Sequence, residues 1–210
     1  MKTGLILRKL RLEDRDIVTS EELKEICSNL GIKYETAIRH LVPRGHLIRI
    51  FRGVFYVTSP DEALTRKQRH SHLELVSKGL KAKGVEDWYF GLYTALKMNN
   101  MTHEHYALDY VVNDKIQRSN PIDIAGYRFR FVKVRPHLLG FGVVAGELRH
   151  SDPEKTILDF IYLWRYNSMP DQRITLSVKE WTSNVDDAKM LDYSRYYPKT
   201  VAKLLEEVLS

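Results

Sequence analysis

The sequence predicts an α+β protein: an N-terminal winged helix-turn-helix over residues 1–59, then a larger α/β domain over residues 60–210 with a mixed sheet and terminal helices. Three observations predict this order. Residues 18–57 read as helix, tight turn, helix and two-stranded hairpin. Residues 106–135 hold β-rich runs between turn signals, part of them alternating apolar and basic at the period of a strand. From residue 150 onward the chain reads as successive helices, the first opened by Ser151-Asp152-Pro153-Glu154.

The first elements can be justified one by one. Residues 5–11 form a short helical candidate with Leu5, Ile6 and Leu10 inward. Thr19 followed three residues later by Glu22 makes a capping box, and Val18 with Leu23 has the spacing of a hydrophobic staple. Leu23, Ile26, Cys27 and Leu30 then repeat at i, i+3, i+4 and i+7, one apolar helical face. Gly31 supplies the positive φ that ends the helix. Ile32, Ala37, Ile38 and Leu41 carry the pattern into a second helix, which leaves Tyr34, Glu35, Arg39 and His40 pointing away from the core. Pro43 and Gly45 close that helix. Leu47, Ile48 and Ile50, then Val54, Phe55 and Val57, flank the turn Phe51-Arg52-Gly53, a hairpin signature.

In a helix-turn-helix the second helix lies in the major groove and its early residues meet base edges. That assigns Tyr34, Glu35, Arg39 and His40 to bases. Lys33, Arg44, Arg49 and Arg52 are placed for phosphate or a narrow minor groove. Double-stranded DNA is the expected partner. The plainer alternative is a helical subdomain whose hairpin docks on a protein.

The charge distribution agrees with the first reading. Residues 1–72 hold 14 Lys and Arg against 9 Asp and Glu, a net +5 of the chain's +6, and the rest carries +1. Counterion release draws such a module to a polyphosphate whatever its base sequence, although a modest excess can also serve solubility alone. An apolar share of 43% with 10% aromatic residues supports a real core and argues against disorder. No run approaches the ~18 apolar residues of a membrane span. Residues 1–8 lack the apolar region and cleavage site of a signal peptide, so a cytoplasmic location is expected. Cys27 is the single cysteine, expected as a small buried filler rather than a reactive thiol.

Thr58-Ser59-Pro60-Asp61-Glu62 marks the expected domain boundary. A connecting helix is expected over residues 63–83, its first half carrying Arg66, Lys67, Arg69, His70 and His72. His70 and His72 fall on different helix faces, and His103 with His105 lacks further ligands, so neither metal nor cofactor is expected. Residues 87–100 read as a buried helix. In the strand at residues 127–135, Tyr127, Phe129 and Phe131 share one face, Arg128, Arg130 and Lys133 lie largely on the other, and Val132-Lys133 hints at a bulge. The glycines at 140, 142 and 146 suit a tight hairpin and lack the Gly-Lys-Ser/Thr ending of a phosphate loop. The helix after residue 150 starts either with a Ser151–Glu154 capping box or with Asp152 as cap and Pro153 in the first turn. Its buried stripe is Ile157, Leu158, Ile161 and Trp164. Pro198 opens the last helix, with Val201, Leu204, Leu205 and Val208 on one face.

Asp152, Glu154 and Lys155 also spell an acid-x-acid-Lys cluster of the kind that holds metal in some nucleases. Acids at a helix start are already favoured by the helix dipole, so no catalytic residue is assigned. A Mg²⁺-dependent nuclease with a winged-helix targeting domain remains the second reading.

Three segments carry a family resemblance: Arg52-Gly53-Val54-Phe55-Tyr56-Val57, Tyr89-Phe90-Gly91-Leu92-Tyr93-Thr94-Ala95-Leu96, and Ser151-Asp152-Pro153-Glu154-Lys155-Thr156-Ile157-Leu158-Asp159. Together they resemble the antitoxins of the AbiE abortive-infection system. The resemblance implies an N-terminal DNA-binding domain and a C-terminal antitoxin domain carrying the Asp152, Glu154 and Lys155 motif. It also implies repression of the protein's own promoter through inverted repeats. The implied partner is a nucleotidyltransferase-type toxin countered without a stable complex. A stand-alone regulator without a toxin shares the same pattern.

Overall fold

The computed structural model describes residues 3–65 and 67–210. It is an α+β structure with one small antiparallel sheet, one mixed sheet and, among the described residues, ten α-helices. The chain divides into two units: Met1–Glu86 with Asp123–Gly126, and Asp87–Ile122 with Tyr127–Ser210. No helix is long and apolar enough to cross a membrane among the described residues.

The first unit runs α1 (Thr3–Leu12), β1 (Ile17–Thr19), α2 (Ser20–Asn29), α3 (Tyr34–Leu41), β2 (Leu47–Phe51), β3 (Val54–Val57), α4 (Pro60–Thr65) and α5 (His72–Ala82). Its sheet has the order β1-β3-β2, antiparallel throughout. α2 starts where its residues dictate. Thr19 Oγ1 accepts from the Glu22 amide at 3.3 Å, and Glu22 Oε2 accepts from the Thr19 amide at 2.8 Å. Val18 and Leu23 are both fully buried on either side of this cap. Gly31 takes φ +64° at the α2–α3 turn. Ile6, Leu10, Leu23, Cys27, Ala37 and Leu41 share one core with Leu47 and Phe55.

Three details differ from the sequence expectation. In α1 the buried stripe is Thr3, Ile6, Leu7 and Leu10, while Leu5 is 48% exposed. Residues three and four apart share a helix face, and Leu5 lies off the row that runs through Ile6 and Leu10. The expected helix over residues 63–83 is two: α4 ends at Thr65, and α5 starts afresh from a Ser71–Glu74 capping box. Arg66 lies outside the described residues. The expected boundary fell between Ser59 and Pro60, whereas the units divide after Glu86. Packing accounts for the difference. Tyr56 Oη donates to Glu62 at 2.7 Å, and a Cβ at Gly79 of α5 would come within 2.6 Å of the Ile50 side chain in β2.

Glu62 is a buried acceptor that ties these elements together. Besides Tyr56 it accepts from the Ser59 amide at 2.8 Å and the Arg69 amide at 2.7 Å. Burial pushes its carboxyl up, but the Arg69, Tyr56 and Ser59 donors outweigh burial and hold it below the ordinary glutamate range. A depressed folded-state pKa stabilises above the ordinary value, and that stabilisation is lost as pH falls through the depressed one. Glu62→Gln is therefore expected to cost about 1–3 kcal/mol at neutral pH. It should also flatten the decline in stability as pH falls through and below the ordinary glutamate range. Urea unfolding of the full chain across that range reads both effects.

After α5 come β4 (Trp88–Phe90), α6 (Leu92–Met98), β5 (Leu108–Asn113), β6 (Ile122–Ile124), β7 (Tyr127–Lys133), β8 (Val143–Val144) and β9 (His150–Ser151), all in the second unit except Asp123 and Ile124 of β6, which fall in the first. Four helices follow: α7 (Pro153–Tyr166), α8 (Asp171–Lys179), α9 (Asp187–Ser194) and α10 (Lys199–Leu209). The six strands lie in the order β6-β7-β5-β4-β9-β8, with β5/β7 and β4/β9 parallel and β4/β5 and β8/β9 antiparallel.

The buried helix expected over residues 87–100 begins only at Leu92. Trp88, Tyr89 and Phe90 form a buried strand instead, as consecutive aromatics favour. Gly91 lets the chain turn off the sheet, since a Cβ there would fall 2.7 Å from Val112 Cγ2. The bulge expected at Val132-Lys133 does not form: β7 pairs with β5 without interruption from Arg128 to Lys133. Phe129 and Phe131 are buried as expected, but Tyr127 at the strand's start is 49% exposed. α7 is buried well beyond a stripe. Ile157, Leu158, Phe160 and Ile161 are 0% exposed, and so are Lys155 and Thr156. α10 buries Val201, Leu204, Leu205 and Val208, the expected face.

Candidate nucleic-acid interface

α3 and the β2–β3 turn converge on one residue, Ser20, at the start of α2. The Ser20 amide donates to Gly53 O at 2.9 Å, and Ser20 Oγ accepts from Tyr34 Oη at 3.3 Å. A Cβ at Gly53 would fall 2.8 Å from Ser20 Oγ, and Gly53 has φ +78°, so glycine is required at the turn on both counts. Arg52, next to Gly53, and Lys33, next to Tyr34, each adjoin a residue that bonds Ser20.

The eight expected interface residues fall into two groups. Lys33, Glu35, Arg39, Arg44, Arg49 and Arg52 are exposed. Among the described residues, none of their five cations forms an ion pair. The Arg44 guanidinium donates to His40 O at 3.1 Å, and that of Arg49 lies 5.4 Å from the Phe55 ring centre.

Tyr34 and His40 are half-buried and turned to the protein. Besides its bond to Ser20, the Tyr34 ring carries Lys24 Nζ at 5.5 Å. His40 Nδ1 lies 3.4 Å from Thr3 Oγ1, and burial, then Arg44 and His46, hold its imidazole below the ordinary histidine range. Both residues work as braces of α3, and a neutral His40 offers no cation to a phosphate. Their helix positions alone could not separate them from Glu35 and Arg39, because their partners come from α1 and α2.

Two further cations belong to this surface. Lys24 sits over Tyr34, and Lys83 Nζ lies 4.0 Å from where a Gly53 Cβ would be. Thr36, also exposed, adds a hydroxyl to α3. No local motif marks Lys83, since it reaches the turn only through the packing of α5.

Asp152, Glu154 and Lys155 lie in the second unit, and all three are buried. Asp152 is the cap of α7. Its Oδ1 accepts from the Lys155 amide at 2.9 Å, while Oδ2 takes Tyr193 Oη at 3.1 Å and Lys189 Nζ at 3.0 Å. Of the two start signals in the sequence, the Asp152 cap forms. Ser151 bonds Thr156 instead, and Glu154 pairs with Lys189 at 2.7 Å and accepts from the Asp186 amide at 3.1 Å.

Lys155 closes a buried box. Its Nζ donates to Leu138 O at 2.7 Å and Tyr197 Oη at 3.1 Å, and lies 3.5 Å from Asp159 Oδ1. It also sits 4.2 Å from the Phe141 ring centre and 4.9 Å from that of Tyr89. Asp159 accepts from Tyr89 and Tyr197, each at 2.7 Å. Burial pushes the Lys155 ammonium below the ordinary lysine range, while Asp159 opposes that shift. Burial and Asp159 push both phenols well up. A metal-dependent nuclease needs carboxylate oxygens open to a cation and substrate. Here those oxygens are committed to a helix cap and to Lys189. Among the described residues, no group of three or more His, Cys, Asp or Glu is arranged to hold a metal ion.

No family model and no curated protein matches the chain. Among solved structures, the crystal structure of the Rv2827c protein from Mycobacterium tuberculosis is similar, with a TM-score of 0.61 at 14% identity. The likeness covers 99% of this chain and 76% of that one, so the two share a fold along nearly the whole length of this chain.

Proposed function

We propose that the first unit is a winged helix-turn-helix that binds double-stranded DNA, and that the chain is a transcriptional repressor. Its element order, helix–strand–helix–helix–hairpin, supplies the parts such a module uses: α3 as the groove-reading helix and the β2–β3 turn as the wing. The observation that carries the reading is the convergence of α3 and the wing turn on Ser20, flanked by exposed cations free of ion pairs. Glu35 and Arg39 face bases in this reading. Lys33, Arg44, Arg49 and Arg52 take phosphates or the minor groove, with Lys24 and Lys83 behind them.

The second unit is proposed as an antitoxin domain of AbiE type, on the resemblance of its Tyr89–Leu96 and Ser151–Asp159 segments. In that reading Asp152, Glu154 and Lys155 build the domain, and a nucleotidyltransferase-type toxin is countered without a stable complex. The promoter's inverted repeats are the proposed operator.

A reporter driven by the DNA upstream of the chain's own coding sequence tests the repressor reading. Repression by the full chain, with a gel shift on the same DNA, is the expected result. Full reporter expression together with no shift would overturn it.

A further inference from the structure

The second unit contains a cleft of about 750 Å³ that no part of the DNA-binding reading uses. It lies where the parallel strands β5 and β7 end, between them and the second half of α7. Crevices outside the carboxyl ends of parallel strands are where open α/β sheets take their ligands. The volume falls within the range of about 300–1,000 Å³ typical of small-molecule sites.

The walls differ in chemistry. One holds Arg118, Arg130 and Arg135, and among the described residues no carboxylate lines the cleft. Among the described residues, none of these cations forms an ion pair. Arg118 and Arg135 are exposed; Arg130 is half-buried, and its Nε is buried with no hydrogen-bond partner among the described residues. A buried guanidinium N–H without an acceptor is costly, and an anionic oxygen is the acceptor that matches it best.

The aromatic lining is divided: Tyr93 and Trp164 lie on the Phe160 side of α7, Tyr162 and Tyr166 lie on another face of that helix, and Tyr110 stands beside Arg130 on the sheet. Tyr93, Trp164 and the floor residue Phe160 pack ring against ring, with Phe160 4.9 Å from Tyr93 and 4.8 Å from Trp164. Tyr166 at the rim is 78% exposed, an open ring face on a soluble-facing edge of the cleft. Bases stack on such faces whatever their identity.

We propose that this cleft binds a nucleoside phosphate, its phosphates held by Arg118, Arg130 and Arg135 and its base against the open face of Tyr166. The cations come from β7, the residues just after it and the loop after β5. The site lies wholly in the second unit, so its failure would leave the DNA-binding reading standing.

Calorimetric titration of the full chain tests it with ATP, GTP, adenosine, inorganic triphosphate and single-stranded oligo(U). The nucleotides are expected to bind saturably, and adenosine and triphosphate each at least about tenfold more weakly. Arg130→Gln should weaken ATP by about tenfold to a hundredfold, the range for losing a charged hydrogen bond. The double variant Arg118→Ser/Arg135→Ser, changed only at exposed positions, should weaken ATP and triphosphate but not adenosine, and decides the matter if Arg130→Gln does not fold. Tyr166→Ala should weaken ATP but not triphosphate. No heat with ATP or GTP at millimolar concentration would overturn the proposal, as would triphosphate binding as tightly as ATP. So would oligo(U) binding far more tightly than ATP and losing that affinity in the double variant, which would make the cleft a strand-binding groove.

Discussion

Lys155→Ala is expected to destabilise the second unit by about 3–5 kcal/mol, the cost of leaving the other half of a buried ion pair without its partner. Asp159 would remain 1% exposed with two phenol donors and no cation. The lost side chain would also leave a void beside Phe141 and Tyr89, whose rings now face the ammonium. The size of the loss comes from the orphaned carboxylate more than from the pair's own attraction, because both charges were desolvated to form it. Lys155→Met combined with Asp159→Asn is therefore expected to recover much of the stability lost in Lys155→Ala. It fills the box and removes both charges. Urea unfolding of Lys155→Met, Asp159→Asn and their double gives the coupling directly. A loss below about 1 kcal/mol for Lys155→Ala would mean that Asp159 does not depend on it.

The second large effect concerns DNA. On the proposed reading, Arg39→Ala is expected to weaken binding to the operator by about 1–3 kcal/mol while changing affinity for random duplex little, because a base contact would be lost. Arg52→Ala is expected to weaken both about equally and to lower the salt dependence by about one counterion, as loss of a phosphate contact does. Both side chains are exposed, so neither substitution should disturb folding. Fluorescence anisotropy with the two duplexes separates the cases. Equal losses on both duplexes for Arg39→Ala would move that residue from base reading to backbone contact.

What could be read from the chain was mostly local. The start of α2 was legible because Thr19, Glu22, Val18 and Leu23 specify a cap and a staple within six residues. The β2–β3 turn was legible because only glycine accepts the backbone at residue 53. The strand Trp88–Phe90 was not, since three apolar residues in a row fit a buried helix as well as a buried strand and only pairing with β5 decides. The break between α4 and α5 was signalled by Ser71 and Glu74, but an apolar pattern running on to Leu80 masked it.

At the sites, the exposure of Arg39 followed from helical periodicity and that of Arg52 from its place in the turn. The withdrawal of Tyr34 and His40 did not, because it depends on Ser20 and Thr3. The Asp152-Pro153-Glu154-Lys155 run was visible as a helix start. Its meaning as a buried cation box needed Tyr89, Phe141, Asp159 and Tyr197, which come together only in the folded unit. The cleft was illegible for the same reason: Arg118, Arg130 and Tyr166 belong to a loop, a strand and a helix far apart in the chain.

The central claim is that the first unit grips duplex DNA through a cationic surface formed by α3 and the wing turn. The most direct test is the affinity of the intact protein for its own upstream duplex between about 50 and 200 mM salt, with a random duplex of equal length alongside. The account predicts that both affinities fall linearly on a log–log plot with a slope of several counterions, and that the upstream duplex stays the tighter ligand throughout. Affinity independent of salt, or equal for the two duplexes at every salt concentration, would contradict it.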